Sequence, residues 1–118
     1  MKYSLLSTLF ILSVLFAKAQ NVSDLPAGKY ETRLKSAQNK WEKGDIIIID
    51  DTHYKLSSSG DVGDYKFSVA AQRIFFTSGP LKSAYTKVAT ANGKPVIILP
   101  IEQNGPLGLT SEVWASKQ

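Results

Sequence analysis

Apolar and polar side chains alternate with a period of two through most of the chain after residue 27, and that period predicts strands, not helices. Tyr30, Thr32 and Leu34 alternate with Lys29, Glu31, Arg33 and Lys35. The next stretch, 35–43 (KSAQNKWEK), lacks a firm cap and is too short for a stable helix. It predicts a long loop or a single turn, with Trp41 tucked against the domain. Residues 46–49 are four isoleucines in a row between Gly44-Asp45 and Asp50-Asp51. Such a run of β-branched side chains predicts a strand covered on both faces, and its flanking acids act as charged gatekeepers against aggregation.

Beyond Tyr54-Lys55-Leu56 and a Ser/Gly/Asp-rich turn at 57–64, the alternation resumes. Tyr65, Phe67 and Val69 are expected on one face and Lys66 and Ser68 on the other. Ala70-Ala71-Gln72 connects to Ile74 and Phe76, which alternate with Arg73, Phe75 and Thr77 until Gly79-Pro80 stops the strand. This segment reads as a hairpin with an aromatic inner face. Residues 85–91 (YTKVATA) alternate again, Asn92-Gly93 is a strong hairpin turn, and 95–101 (PVIILPI) is an apolar strand whose prolines suit an edge or a bend. A loop at 104–108 leads into a closing strand at 109–115. Tyr30, Tyr54 and Tyr65 each stand early in a predicted strand, followed by a charged residue, a recurrence without the fixed period of a solenoid. The fold class is therefore all-β, a small antiparallel barrel or sandwich of seven to eight short strands with very little helix.

The first residues change the charge picture. Met1-Lys2, an apolar run over 4–16 and Ala17-Lys18-Ala19 have the layout of a secretory signal peptide over 1–19. The apolar run is shorter than the about 20 residues that span a bilayer, so no membrane span is expected after cleavage. Residues 20–27 read as a tether and 28–118 as one β domain, exported to the periplasm or outside the cell. Without Lys2 and Lys18, 12 basic residues face 10 acidic ones, a net charge of +2 in place of +4. The lysines are scattered singly, which speaks against a nucleic-acid partner. The absence of cysteine removes thiol catalysis, disulfides and cysteine-based zinc sites.

Little else carries chemistry. His53, the only histidine, sits beside Asp50 and Asp51 and near Ser57, Ser58 and Ser59. An acid-oriented histidine is a recognisable general base, but no nucleophile-elbow pattern surrounds the serines, and a polar turn is the simpler reading. The spacing of Asp50, Asp51, Asp61 and Asp64 fits no calcium loop. No catalytic residue, metal or cofactor is assigned. Among the aromatics, Trp41, Tyr54, Phe75 and Trp114 are the candidates for a ligand surface.

The start Leu25-Pro26-Ala27-Gly28-Lys29-Tyr30, leading into successive antiparallel strands, resembles small lipocalin-type barrels. That family carries a Gly-x-Trp at the first strand and a late arginine packed over it. Here Tyr30 stands in the tryptophan position and no arginine follows Arg73. The resemblance implies a cup for an apolar ligand, and hence a secreted, non-enzymatic binding module. The alternatives from other classes are a small hydrolase using His53 with Asp50 or Asp51, and a protein-interaction or inhibitory surface.

Overall fold

The computed structural model describes residues 21–37 and 39–118; the expected signal peptide lies outside them. Eight strands follow in order: β1 (Gly28–Leu34), β2 (Ile46–Ile48), β3 (His53–Leu56), β4 (Val62–Ser68), β5 (Arg73–Phe76), β6 (Lys87–Ala91), β7 (Lys94–Leu99) and β8 (Val113–Lys117). There is no helix among the described residues. Each strand pairs antiparallel with its neighbour in sequence from β1 to β5 and from β6 to β8, and β8 pairs back onto β1. The result is an up-and-down barrel, nearly closed, whose one seam lies between β5 and β6.

Period-two alternation aims one set of side chains inward, and cross-strand pairing stacks them in rows. Tyr30, Ile46 and Leu56 form one row across β1, β2 and β3; Thr32, Ala115, Ile97 and Val88 form another across β1, β8, β7 and β6. All six of these apolar side chains and Thr32 are buried. Tyr54 and Phe76 add a tilted aromatic pair with centroids 4.6 Å apart. Side chains fill the barrel.

At the seam, Val88 N–H donates to the Gln72 carbonyl at 2.8 Å. One step along, the buried Thr86 hydroxyl takes the place of a backbone group: it accepts from Ile74 N–H at 3.2 Å and donates to the Ile74 carbonyl. Ser83 N–H satisfies the Phe76 carbonyl at 3.0 Å. The β5 edge is therefore capped without a full ladder, as an exposed edge must be.

Several expectations are corrected. Ile46 and Ile48 point inward, but Ile47 is half-buried and Ile49 is exposed, so β2 is not covered on both faces. Ile47 lies opposite Lys29 on one side and Lys55 on the other, whose aliphatic stems suit an isoleucine on an outer wall. Val69 is exposed because β4 ends at Ser68 and Val69 belongs to the turn. β7 is an interior strand, not an edge; Pro95 is accommodated because the β7–β8 ladder begins only at Val96. The last strand starts at Val113, four residues later than expected, since Leu109 pairs only in an isolated bridge with Glu102. The stretch read as a tether is packed: Val22 and Leu25 are buried in the core. The Gln72 side chain accepts from Val22 N–H at 2.9 Å and donates to its carbonyl at 2.8 Å, as a neighbouring strand would.

Candidate functional site

The antiparallel order gives the barrel two unlike ends. The turns after β2, β4 and β6 are short and gather at one end with the N-terminal segment; the loops after β1, β5 and β7 are long and gather at the other. Asn92 and Gly93, with φ of 54° and 77°, make the tight β6–β7 hairpin that their sequence calls for. Long loops on a rigid wall are where binding surfaces form.

The local geometry of the loop end is fixed by two devices. In the first, Asp45 lies buried where β1 and β2 part, accepting from Thr32 N–H at 3.1 Å while Lys29 Nζ stands 3.4 Å away. Burial pushes its carboxyl up, but the Thr32 hydrogen bond and the Lys29 ammonium more than offset that and hold it below the usual range. In the second, the Tyr54 hydroxyl donates to the Ser78 carbonyl and accepts from Leu81 N–H, both at 2.8 Å. That clamp needs Gly63 and Gly79 in close approach. A Cβ on Gly79, whose φ is +85°, would stand 2.6 Å from the Gly63 Cα. Tyr54 is thus a core residue holding a loop, and its burial raises its phenol.

Between the loops, residues 39–43 and 107–111 line a groove of about 360 Å³. Leu34, Trp41, Leu107 and Leu109 supply apolar surface, and Lys40, Glu42 and Lys43 supply charge, two cations against one acid. Leu34, Leu107 and Leu109 are only partly buried and pack on the core cluster, whereas Trp41 is buried within it. A smaller groove of about 190 Å³ shares Leu34 and continues along the outer wall past Trp114. Lys35 Nζ lies 4.2 Å from the Trp114 ring centroid, and the indole N–H donates to Glu112 at 2.9 Å.

Of the four expected ligand residues, Trp41 and Trp114 therefore belong to adjoining grooves. Tyr54 is sealed in the core, and Phe75 faces outward on the far side at the seam. Leu107, Leu109, Lys40 and Lys43 were not singled out by residue type; the one signal for them is the length of the loop between Leu99 and Val113.

His53 sits at the opposite, tight-turn end. Its Nδ1 is 2.8 Å from Asp50 and its Nε2 is 3.4 Å from Asp64, so both ring nitrogens face carboxylates. The Asp50 carboxyl is lowered, first by the Thr52 N–H and then by His53. Ser57 and Ser58 lie beyond the far end of β3, where Ser57 Oγ accepts from Asp45 N–H and Ser58 Oγ donates to the Lys43 carbonyl. Among the described residues, no serine hydroxyl is hydrogen-bonded to the imidazole. Among the described residues there is no group of three or more His, Asp or Glu side chains arranged to hold a metal ion. Comparison of the chain with protein-family models, with curated proteins and with solved structures found no match.

Proposed function

We propose that the protein is an exported, non-enzymatic binding module that takes a small amphipathic ligand at its loop end. The observation that carries this reading is the groove between 39–43 and 107–111, apolar along Leu34, Trp41, Leu107 and Leu109 and with a net positive lining from Lys40 and Lys43 against Glu42. An aliphatic or aromatic body would lie along the leucines, and an anionic head would meet the lysines. The volume is within the about 300–1,000 Å³ usual for small-ligand sites. The nearly closed barrel is compatible with a lipocalin-like ancestry, but side chains occupy its interior. The ligand is therefore assigned to the rim and not to an internal cup. The signal-like N-terminus supports export.

A melting-temperature screen of fatty acids, sterols, haem-like compounds and oligosaccharides tests the reading. A ligand at about one hundred times its dissociation constant adds about 2.7 kcal/mol, readable as a shift of several degrees. An amphipathic anion is expected to give that shift; Leu107→Asp is expected to abolish it and His53→Ala to leave it intact. A shift that survives Leu107→Asp, or none from any amphipathic anion, would overturn the groove assignment.

A further inference from the structure

The outer wall across the seam carries a second constellation. Arg73 on β5 places its guanidinium carbon 4.7 Å from the Phe75 ring centroid and 4.0 Å from that of Tyr85. Both rings remain exposed, Phe75 at 41% and Tyr85 at 36%. The Arg73 Nε is buried beneath them with no hydrogen-bond partner. Lys66 stands directly opposite Phe75 on β4. The Val88–Gln72 hydrogen bond continues the register across the seam and sets the exposed Lys87 beside Arg73.

Three cations and two rings thus share one patch of wall, and no carboxylate among the described residues pairs with Lys66, Arg73 or Lys87. Two neighbouring acids are turned elsewhere. Asp64, two residues before Lys66, faces His53. Glu102, which borders Tyr85, folds back against Gly105 of its own loop. An arginine held between two rings has already given up rotamer freedom, so binding through it costs less. Its fork matches a carboxylate in two parallel hydrogen bonds. Phe75 and Tyr85 present exposed ring faces on the outer wall, and Tyr85 also borders a closed crevice at Leu107 and Leu109. Flat rings beside cations suit a flat, anionic, repeating partner.

We infer that this wall binds an acidic polysaccharide, with the C–H faces of the sugar rings against Phe75 and Tyr85 and their carboxylates at Arg73, Lys66 and Lys87. The choice of a polysaccharide over a nucleic acid rests on the export reading; Lys66, Arg73, Phe75 and Lys87 do not line the loop-end groove. Binding of the full chain to polygalacturonate is measured against dextran, polyglutamate and oligothymidylate. Polygalacturonate is expected to bind best and dextran not at all, with affinity falling as salt rises. Arg73→Gln and Phe75→Ala are each expected to weaken binding by about tenfold, the loss of one charge-assisted or aromatic contact. Lys94→Gln, at the tight-turn end, is expected to bind like the parent chain. Melting temperatures confirm that each variant is folded, and the double variant Lys66→Gln/Lys87→Gln serves if Arg73→Gln is not. The inference is overturned if polyglutamate or oligothymidylate binds as tightly as polygalacturonate. It is equally overturned if folded Phe75→Ala and charge variants bind like the parent, or if no polygalacturonate binds.

Discussion

Three tyrosines that share a sequence setting also share a physical role. Each is buried, and each hydroxyl donates to a carbonyl in a different connection: Tyr30 to Pro26, Tyr54 to Ser78 and Tyr65 to Asp50, at 2.7 to 2.8 Å. A buried hydroxyl without such a partner would cost more than the aromatic burial gains at that atom. Burial raises all three phenols, most strongly Tyr30, and pushes Tyr65 up to about 12, with Asp51 and Asp50 adding to the effect. A raised phenol stabilises the fold while it stays protonated. Below pH 10 both folded and unfolded chains hold the proton, so nothing is lost. Between pH 10 and 12 the unfolded chain releases it first, and stability falls as pH rises. Urea midpoints are therefore expected to drop through that window, and Tyr65→Phe to drop less steeply. At neutral pH the same variant is expected to be weaker by about 1 kcal/mol, the net worth of one hydrogen bond. An equal alkaline slope in parent and variant would show that Tyr65 does not contribute to it.

Among the elements, the seam is where a side chain does the work of a strand. Thr86 satisfies both backbone groups of Ile74, so Thr86→Val, nearly the same in shape, leaves two buried polar groups unpaired. A loss of about 1–3 kcal/mol per unpaired group is the usual range. Amide exchange at Ile74 is expected to rise well before that at Ile97 on β7, which is laddered to both β6 and β8; uniform acceleration would mean that the seam is no weaker than the rest. Alternation made β1, β4 and β5 legible from sequence, and the Asn92-Gly93 turn made the β6–β7 hairpin so. Thr86 was hidden because a threonine in an alternating run looks like any strand residue. The four isoleucines misled for a related reason: composition reports how apolar a strand is, while only its neighbours, here Lys29 and Lys55, report which face is covered. The candidate groove was less legible still. Trp41 and Trp114 could be named as aromatics, but their partners lie in loops whose mutual position follows from closure of the whole sheet.

At the level of the molecule, each end of the barrel is stoppered differently. Trp41, Leu81 and Ala84 are buried towards the long loops, and Val22 and Leu25 towards the tight turns. The second stopper hangs on Gln72, itself in a left-handed conformation at φ 52°. Gln72→Ala is expected to lower the melting temperature and to expose the peptide bonds near Val22 to proteases; a variant as resistant as the parent would show that apolar packing alone seats the segment. The pairing of β8 with β1 has a different consequence, one of timing. Tyr30 to Leu34 meet Lys117 to Val113, so the opening strand waits for the final one. Until β8 arrives, the sheet has two open edges at that position and no closed interior, and loop-closure entropy makes so distant a pairing slow. A chain emerging end-first through a narrow passage, whether a ribosome or a translocation channel, would stay pliable until β8 had followed β1 out, and only then could the wall shut.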